Sequence, residues 1–147
     1  LTTVSRRIGA VRRLTVVSPA YLRDHGTPRT PAELSGHDII HTASRTAAAV
    51  WDYPAGRAVR LTPRLAVNRV EAALDAARVG RGIARALSYQ VAGDIAAGRL
   101  TRILEDAEPP PLPVHLLVPS ARHMPSRVRV FLDMAARQLA ALDVLRA

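Results

Sequence analysis

The chain has 147 residues, with 21 arginines, no lysine and no cysteine, and 12 acidic residues leave a formal charge of +9. Without cysteine there is no disulfide, no thiolate metal site and no cysteine nucleophile. No apolar run approaches the ~20 residues that a membrane-spanning helix needs.

Aromatic residues make up only 3% of the chain while 48% is apolar, so the core must come from Ala, Val, Leu and Ile. The arginines are scattered after the pairs Arg6-Arg7 and Arg12-Arg13, and no aromatic ladder interleaves with them. They read as solvated faces in an arginine-biased coding background rather than as a nucleic-acid footprint. The N-terminus has no initiator Met, and its arginine pairs are followed by no secretory apolar region and cleavage site. It reads as a chain entered midway.

In chain order, Leu14–Ser18 predicts a buried strand. Ser18-Pro19 supplies an N-cap with proline at the first helical position, opening a short helix over Ala20–Asp24 that stops at His25-Gly26. Thr30-Pro31-Ala32-Glu33 has the pattern of a capping box before a second short helix ending near Gly36. Asp38–Thr42 predicts the next strand and Ser44–Ala49 a small polar loop. Val50–Tyr53 and Ala58–Leu61 flank Pro54-Ala55-Gly56-Arg57 as a hairpin.

Leu65–Val67 predicts a short strand, and Asn68 the cap of a helix with Val70, Ala73, Leu74 and Ala77 on its apolar stripe. Gly80 ends that helix in the left-handed conformation. Gly82–Leu87 is a strand, Ser88 caps a helix to Ala97, and Leu100–Leu104 is another strand. "EDAEPPPLP" predicts a stiff extended crossing segment. Val114–Val118 is a buried-type strand. A final helix over 125–145 places Val128, Phe131, Leu132, Ala135, Leu139 and Leu142 on one face. This alternation predicts an α/β fold with a mostly parallel sheet. Such sheets bind ligands at the carboxyl ends of their strands.

Catalytic signatures are missing. Gly80-Arg81-Gly82 imitates a dinucleotide loop, but it follows a helix and opens a strand, the reverse of what places a pyrophosphate on a helix N-terminus. Arg85 stands where the third glycine should be. The five histidines have no metal spacing, and neither HExxH nor GxSxG occurs. Four polar helix starts remain, at Ser18, Thr30, Asn68 and Ser88. If they converge, their free N–H groups favour a small carboxylate or another polar metabolite.

Three segments in order then resemble LysR-type transcriptional regulators: "SPAYLRDHGTPRTPAEL", "VNRVEAALDAARVGRGIA" and "PSRVRVFLD". A lone Trp51 precedes the hairpin between the first two. The resemblance implies a type 2 periplasmic-binding-protein-like effector domain of two α/β lobes. It places residues 1–13 in a crossing segment and remnant of the first lobe, 14–113 in the second lobe, and 114–147 in a strand and helix returning to the first.

It also implies a small-molecule effector between the lobes, with candidate contacts at His41, Thr42, Ser44, Asn68, Ala84, Arg85, Ala86, Leu87 and Ser88. DNA binding would belong to a winged helix-turn-helix outside this chain. A homodimer or homotetramer in the cytoplasm, with no cofactor, metal or membrane attachment, completes the expectation. Two positions depart from the family pattern: Arg69 follows Asn68 where Asp is common, and Leu87 stands where Pro is common.

The readings in competition are a transport solute-binding protein of the same architecture, an α/β enzyme without a recognisable signature, and direct DNA binding by this chain. A further expectation is physical. A strand and helix returning to an incomplete lobe leave Val114–Val118 and the apolar helix face open to association.

Overall fold

The computed structural model describes residues 3–43, 49–119 and 126–146. The elements run β1 (Thr3–Val11), β2 (Arg13–Val17), α1 (Pro19–His25), a 3-10 helix (Pro31–Gly36), β3 (Ile39–Thr42), β4 (Ala49–Tyr53), β5 (Arg57–Leu61) and β6 (Leu65–Val67). They continue with α2 (Val70–Arg78), β7 (Ile83–Leu87), α3 (Ser88–Ala96), β8 (Thr101–Ile103), a 3-10 turn (Glu105–Ala107), β9 (Leu112–Pro119), α4 (Ser126–Ala140) and a last 3-10 turn (Asp143–Leu145). Contacts divide the chain into a continuous unit, Arg13–Pro110, and a discontinuous one made of residues 1–12 and 111–147.

The continuous unit is built on a five-stranded sheet in the order β6-β3-β7-β2-β8. β3 runs parallel to both β6 and β7, while β2 is antiparallel to β7 and β8. Four strands therefore point one way, and β2 alone is reversed. The β2–β7 register sets Leu14 opposite Ala86, Thr15 opposite Arg85 and Val16 opposite Ala84.

Side-chain alternation gives this sheet two different faces. On one, Leu14, Val16, Ile40, Ala84 and Ala86 pack under Ala73, Leu74 and Ala77 of α2, Val91 of α3 and Leu100. On the other, Val17, Ile39, Ile83 and Ile103 meet Tyr21 of α1, Leu34 of the first 3-10 helix, and Ala49, Trp51, Tyr53 and Leu61 of the β4–β5 hairpin. β4 alternates strictly, with Ala49, Trp51 and Tyr53 buried and Val50 and Asp52 exposed.

Local signals explain most boundaries. The Ser18 hydroxyl accepts from Tyr21 N–H at 3.3 Å and Pro19 opens α1. Gly80 follows α2 with φ of +75°. Gly82 is required more strictly. Its φ is +143°, and a Cβ there would lie 2.3 Å from the Asp38 carbonyl oxygen, which accepts the Ile83 N–H at 2.8 Å.

Several expectations are corrected. Arg69, not Asn68, is the N-cap of α2, and no side chain caps that end. Asn68 lies one residue earlier because it completes the turn out of β6. α3 includes Ser88 in its first turn, and its N-cap is Leu87, whose N–H donates to Gln90 Oε1 at 2.8 Å. The Thr30 pattern opens a 3-10 helix, in which Glu33 accepts from Arg29 N–H and from the Thr30 hydroxyl, both at 2.9 Å. The "EDAEPPPLP" stretch is not extended throughout, because Glu105–Ala107 form a 3-10 turn after Leu104 at φ +58°. Arg102 anchors it with a two-pronged pair to Glu108, both contacts at 2.5 Å. The last helix ends at Ala140.

The discontinuous unit pairs β1 antiparallel with β9, with a bulge between Arg7 and Gly9. α4 packs on β1, and Arg6 Nη1 donates to Asp133 at 2.7 Å. Ile8, Ala10, Val11 and Ala136 are buried. The expected apolar face of α4 is largely exposed at Val128, Phe131 and Leu142, as is Leu117 of β9.

Candidate functional site

β6, β3 and β7 are adjacent and parallel, so their carboxyl ends lie side by side at Val67, Thr42 and Leu87. Thr42 is in register with Val67, and the following Ala43 N–H donates to the Val67 carbonyl at 2.9 Å. α2 begins three residues after β6, and α3 begins directly after β7. Two helix N-termini thus follow two neighbouring strand ends, an arrangement that directs backbone N–H groups and positive dipole ends to one edge.

The sequence candidates do not form one cluster on this edge. Thr42 shares the α2–α3 side with Ile40, whereas His41 shares the hairpin side with Ile39. Both are half-buried. Ala84 and Ala86 are 0% and 5% exposed and belong to the core beneath α2 and α3, so their side chains are closed to solvent. Leu87 and Ser88 are half-buried at the strand end and Asn68 is exposed. Ser44 lies outside the described residues.

Arg85 is different in kind. Its guanidinium lies 4.5 Å from the ring centre of Tyr53 and 4.9 Å from that of Trp51. Its Nη2 donates to the Asp52 carbonyl at 3.1 Å. Burial pushes its pKa down, while the nearby Tyr53 phenol raises it and the Arg13 charge lowers it further. The Tyr53 phenol is raised by burial, with Arg85 and Thr15 pulling the other way. Among the described residues, Tyr53 Oη and Arg85 Nε are the buried side-chain polar atoms without a hydrogen-bond partner.

Trp51, Tyr53, Thr15 and Arg13 were missed as neighbours of the candidate edge. The available signal was one charged residue inside the apolar strand "GIARAL", together with aromatics two apart in β4. A hollow of about 410 Å3 lined by His25, Asp38, Arg64, Leu65, Gly80 and Arg81 lies elsewhere. Asp38, Arg64 with Leu65, and Arg81 stand at the starts of β3, β6 and β7, so it sits at the amino ends of the same strands. Among the described residues no group of His, Asp and Glu could hold a metal ion, and no helix is long and apolar enough to cross a membrane.

The mixed sheet with helices on one side, a hairpin on the other, and a strand–helix returning after a long excursion defines an effector-binding domain of the type 2 periplasmic-binding-protein kind. Residues 2–140 match the LysR substrate binding domain, and the chain belongs to that family.

It is 29% identical over 139 residues to the probable HTH-type transcriptional regulator LtrA of Klebsiella pneumoniae, covering 90% of this chain and 45% of that one. The regulatory domain of AphB from Vibrio vulnificus superposes with a TM-score of 0.78 at 26% identity, over 92% of this chain and 69% of that one. CrgA, a LysR-type transcriptional regulator from Neisseria meningitidis, gives a TM-score of 0.77 at 26% identity, over 93% of this chain and 48% of that one. The chain spans about half the length of the curated relatives that it matches. These relatives are regulators rather than enzymes or transport proteins.

Proposed function

We propose that this chain is the effector-sensing part of a LysR-type transcriptional regulator. A small molecule, a carboxylate or aromatic acid, binds at the carboxyl edge of β6, β3 and β7. It contacts Thr42, Asn68, Leu87 and Ser88 and the backbone at the starts of α2 and α3. The two helix starts at that edge support an anionic ligand. DNA is bound through a winged helix-turn-helix outside these residues, in a cytoplasmic homodimer or homotetramer. The observation that carries the reading is the family match over residues 2–140, joined to the convergence of three strand ends and two helix starts.

The mechanism is a population shift. An effector that prefers one arrangement of the regulator biases it by the difference between its affinities for the two states. Calorimetry and thermal-shift titration of the chain against small organic acids test this. A binder is expected, with Thr42→Ala and Asn68→Ala each weakening it at least fivefold. Binders unaffected by both substitutions would move the site elsewhere. Random duplex DNA is expected to show no shift with this chain even at about 50 mM salt, where phosphate contacts are strong.

A further inference from the structure

Arg85 presents an electrostatic imbalance that the sheet does not resolve. None of the ion pairs formed among the described residues includes Arg85 or Arg13. The β2–β7 register puts Thr15 opposite Arg85 and Arg13 opposite Leu87, so the two arginines are diagonal neighbours on the hairpin face. Two like charges so placed repel each other, and the Asp52 carboxylate offsets this for Arg85 without forming an ion pair with it. Asp52 offers Arg85 its backbone carbonyl, and that is one acceptor for a fork of five donors.

The aromatic contacts make the imbalance specific. Trp51 and Tyr53 are 3% and 6% exposed and hold the guanidinium against their rings. Ring contacts engage the face of the guanidinium and leave its in-plane N–H donors unspent. Arg85 Nε is one such donor, buried and without a well-formed hydrogen bond, and the Tyr53 hydroxyl buried close by interacts with Arg85 and Thr15 without completing one. Elsewhere this chain neutralises buried charge carefully: Asp94 receives both Arg78 and Arg99, and Glu108 receives Arg102. A guanidinium held without an ion-paired carboxylate, in a chain that otherwise pairs its buried charges, marks a place for an external anion.

We propose that Arg85, with Arg13 diagonal to it and the Tyr53 hydroxyl beside it, is the subsite that takes a planar carboxylate of the effector. This rests on the reading that the carboxyl edge of β7 faces the effector, and it adds the group that selects acids over neutral compounds. A rigidly held fork matches a carboxylate through paired N–H donors, and the tyrosine hydroxyl supplies a further donor.

Trp51 is the only tryptophan in the chain, so its emission reports directly on this place. The 147-residue chain is titrated with succinate and benzoate, with succinamide and benzamide as neutral counterparts and phosphate as a control, at constant ionic strength. At least one acid is expected to give a saturable change that neither the amides nor phosphate give. Arg85→Gln is expected to weaken that acid at least tenfold and Tyr53→Phe about threefold, while Arg85→Lys retains part of the affinity. Far-UV circular dichroism checks folding, and if Arg85→Gln unfolds, Arg13→Gln and Tyr53→Phe carry the test.

Amides or phosphate acting as well as the acids would overturn the subsite, as would variants that titrate like the parent chain. A thermal-shift panel of neutral compounds separates the two readings. A neutral ligand stabilising the parent chain and Arg85→Gln equally overturns the carboxylate subsite and leaves effector sensing standing. No binder of either kind overturns both.

Discussion

The two faces of the five-stranded sheet are made by the same strands and yet are built differently. Beneath α2 and α3 the apolar core is entirely aliphatic, with no side chain larger than leucine or isoleucine. Beneath the β4–β5 hairpin the same strands meet Trp51, Tyr53 and Tyr21, and a guanidinium is embedded among them. On the first side the one buried carboxylate of the helices, Asp94, is paired with Arg78 and Arg99. The second contains polar atoms that the protein leaves without partners. Such atoms cost stability when buried, so the hairpin face keeps a feature that packing alone does not explain.

Substitutions can break or sharpen this contrast. The largest effect is expected where both faces depend on one residue. Gly82→Ala would drive a Cβ into the Asp38 carbonyl at a φ of +143°, displacing β7 from β3. A loss of about 4 kcal/mol is expected, measured by chemical denaturation.

Leu74→Ala tests the packed face alone. It should cost about 3 kcal/mol through lost burial and the cavity left behind. A loss below about 1 kcal/mol would mean that the helices close over the gap and that this face is less rigid than its packing implies.

Asp94→Asn comes next. Asp94 is 5% exposed and is held by Arg78 at 2.6 Å and Arg99 at 2.7 Å. Because both arginines reach solvent, about 2 kcal/mol is expected rather than the full cost of breaking a buried pair. The Arg78 hydrogen bond, ahead of burial and with help from Arg99, pulls its carboxyl below the usual range. Its native pKa lies below its unfolded one, so the stabilisation is complete above the unfolded value and is lost as pH falls through the native value. The acid limb of a stability–pH curve should flatten in Asp94→Asn.

Arg85→Leu sharpens the contrast most directly. It removes the embedded charge and keeps apolar volume between the rings. Stability should change by no more than about 1 kcal/mol, and a gain is the expected sign. A loss of about 3 kcal/mol would make Arg85 a structural clamp for the hairpin. The smallest effect belongs to Phe131→Ser in the other unit. Phe131 is 60% exposed, so a change within about 0.5 kcal/mol is expected.

Much of the order of elements was legible because it rests on local chemistry. Ser18-Pro19 opens α1, Gly80 closes α2, and the alternation of Ala49, Trp51 and Tyr53 makes β4. The family resemblance carried the rest of the architecture. Asn68 has the residue type of a cap, but the chain spends one more residue leaving β6, and that depends on the β3–β6 register rather than on residue type. The reversed direction of β2 and its position between β7 and β8 are set by tertiary pairing, which periodicity does not encode.

The candidate edge was legible as a place, since Thr42, Val67 and Leu87 end neighbouring strands. Which residues face which side was less so. Ala84 and Ala86 belong to the core, and Arg85 between them points to the hairpin because a strand alternates.

The pairing of β1 with β9 has a consequence for the order in which the protein is made. Ser5 bonds His115 across 110 positions of sequence, so β1 meets its partner β9 only after the whole continuous unit has been synthesised. At roughly 5–20 residues per second, that wait is on the order of ten seconds. Arg13–Pro110 has time to fold first, and β1 then closes a long loop by pairing with β9. Chains truncated after Pro110 and free of the ribosome should already protect Val16 and Ile83 from hydrogen exchange while β1 exchanges freely.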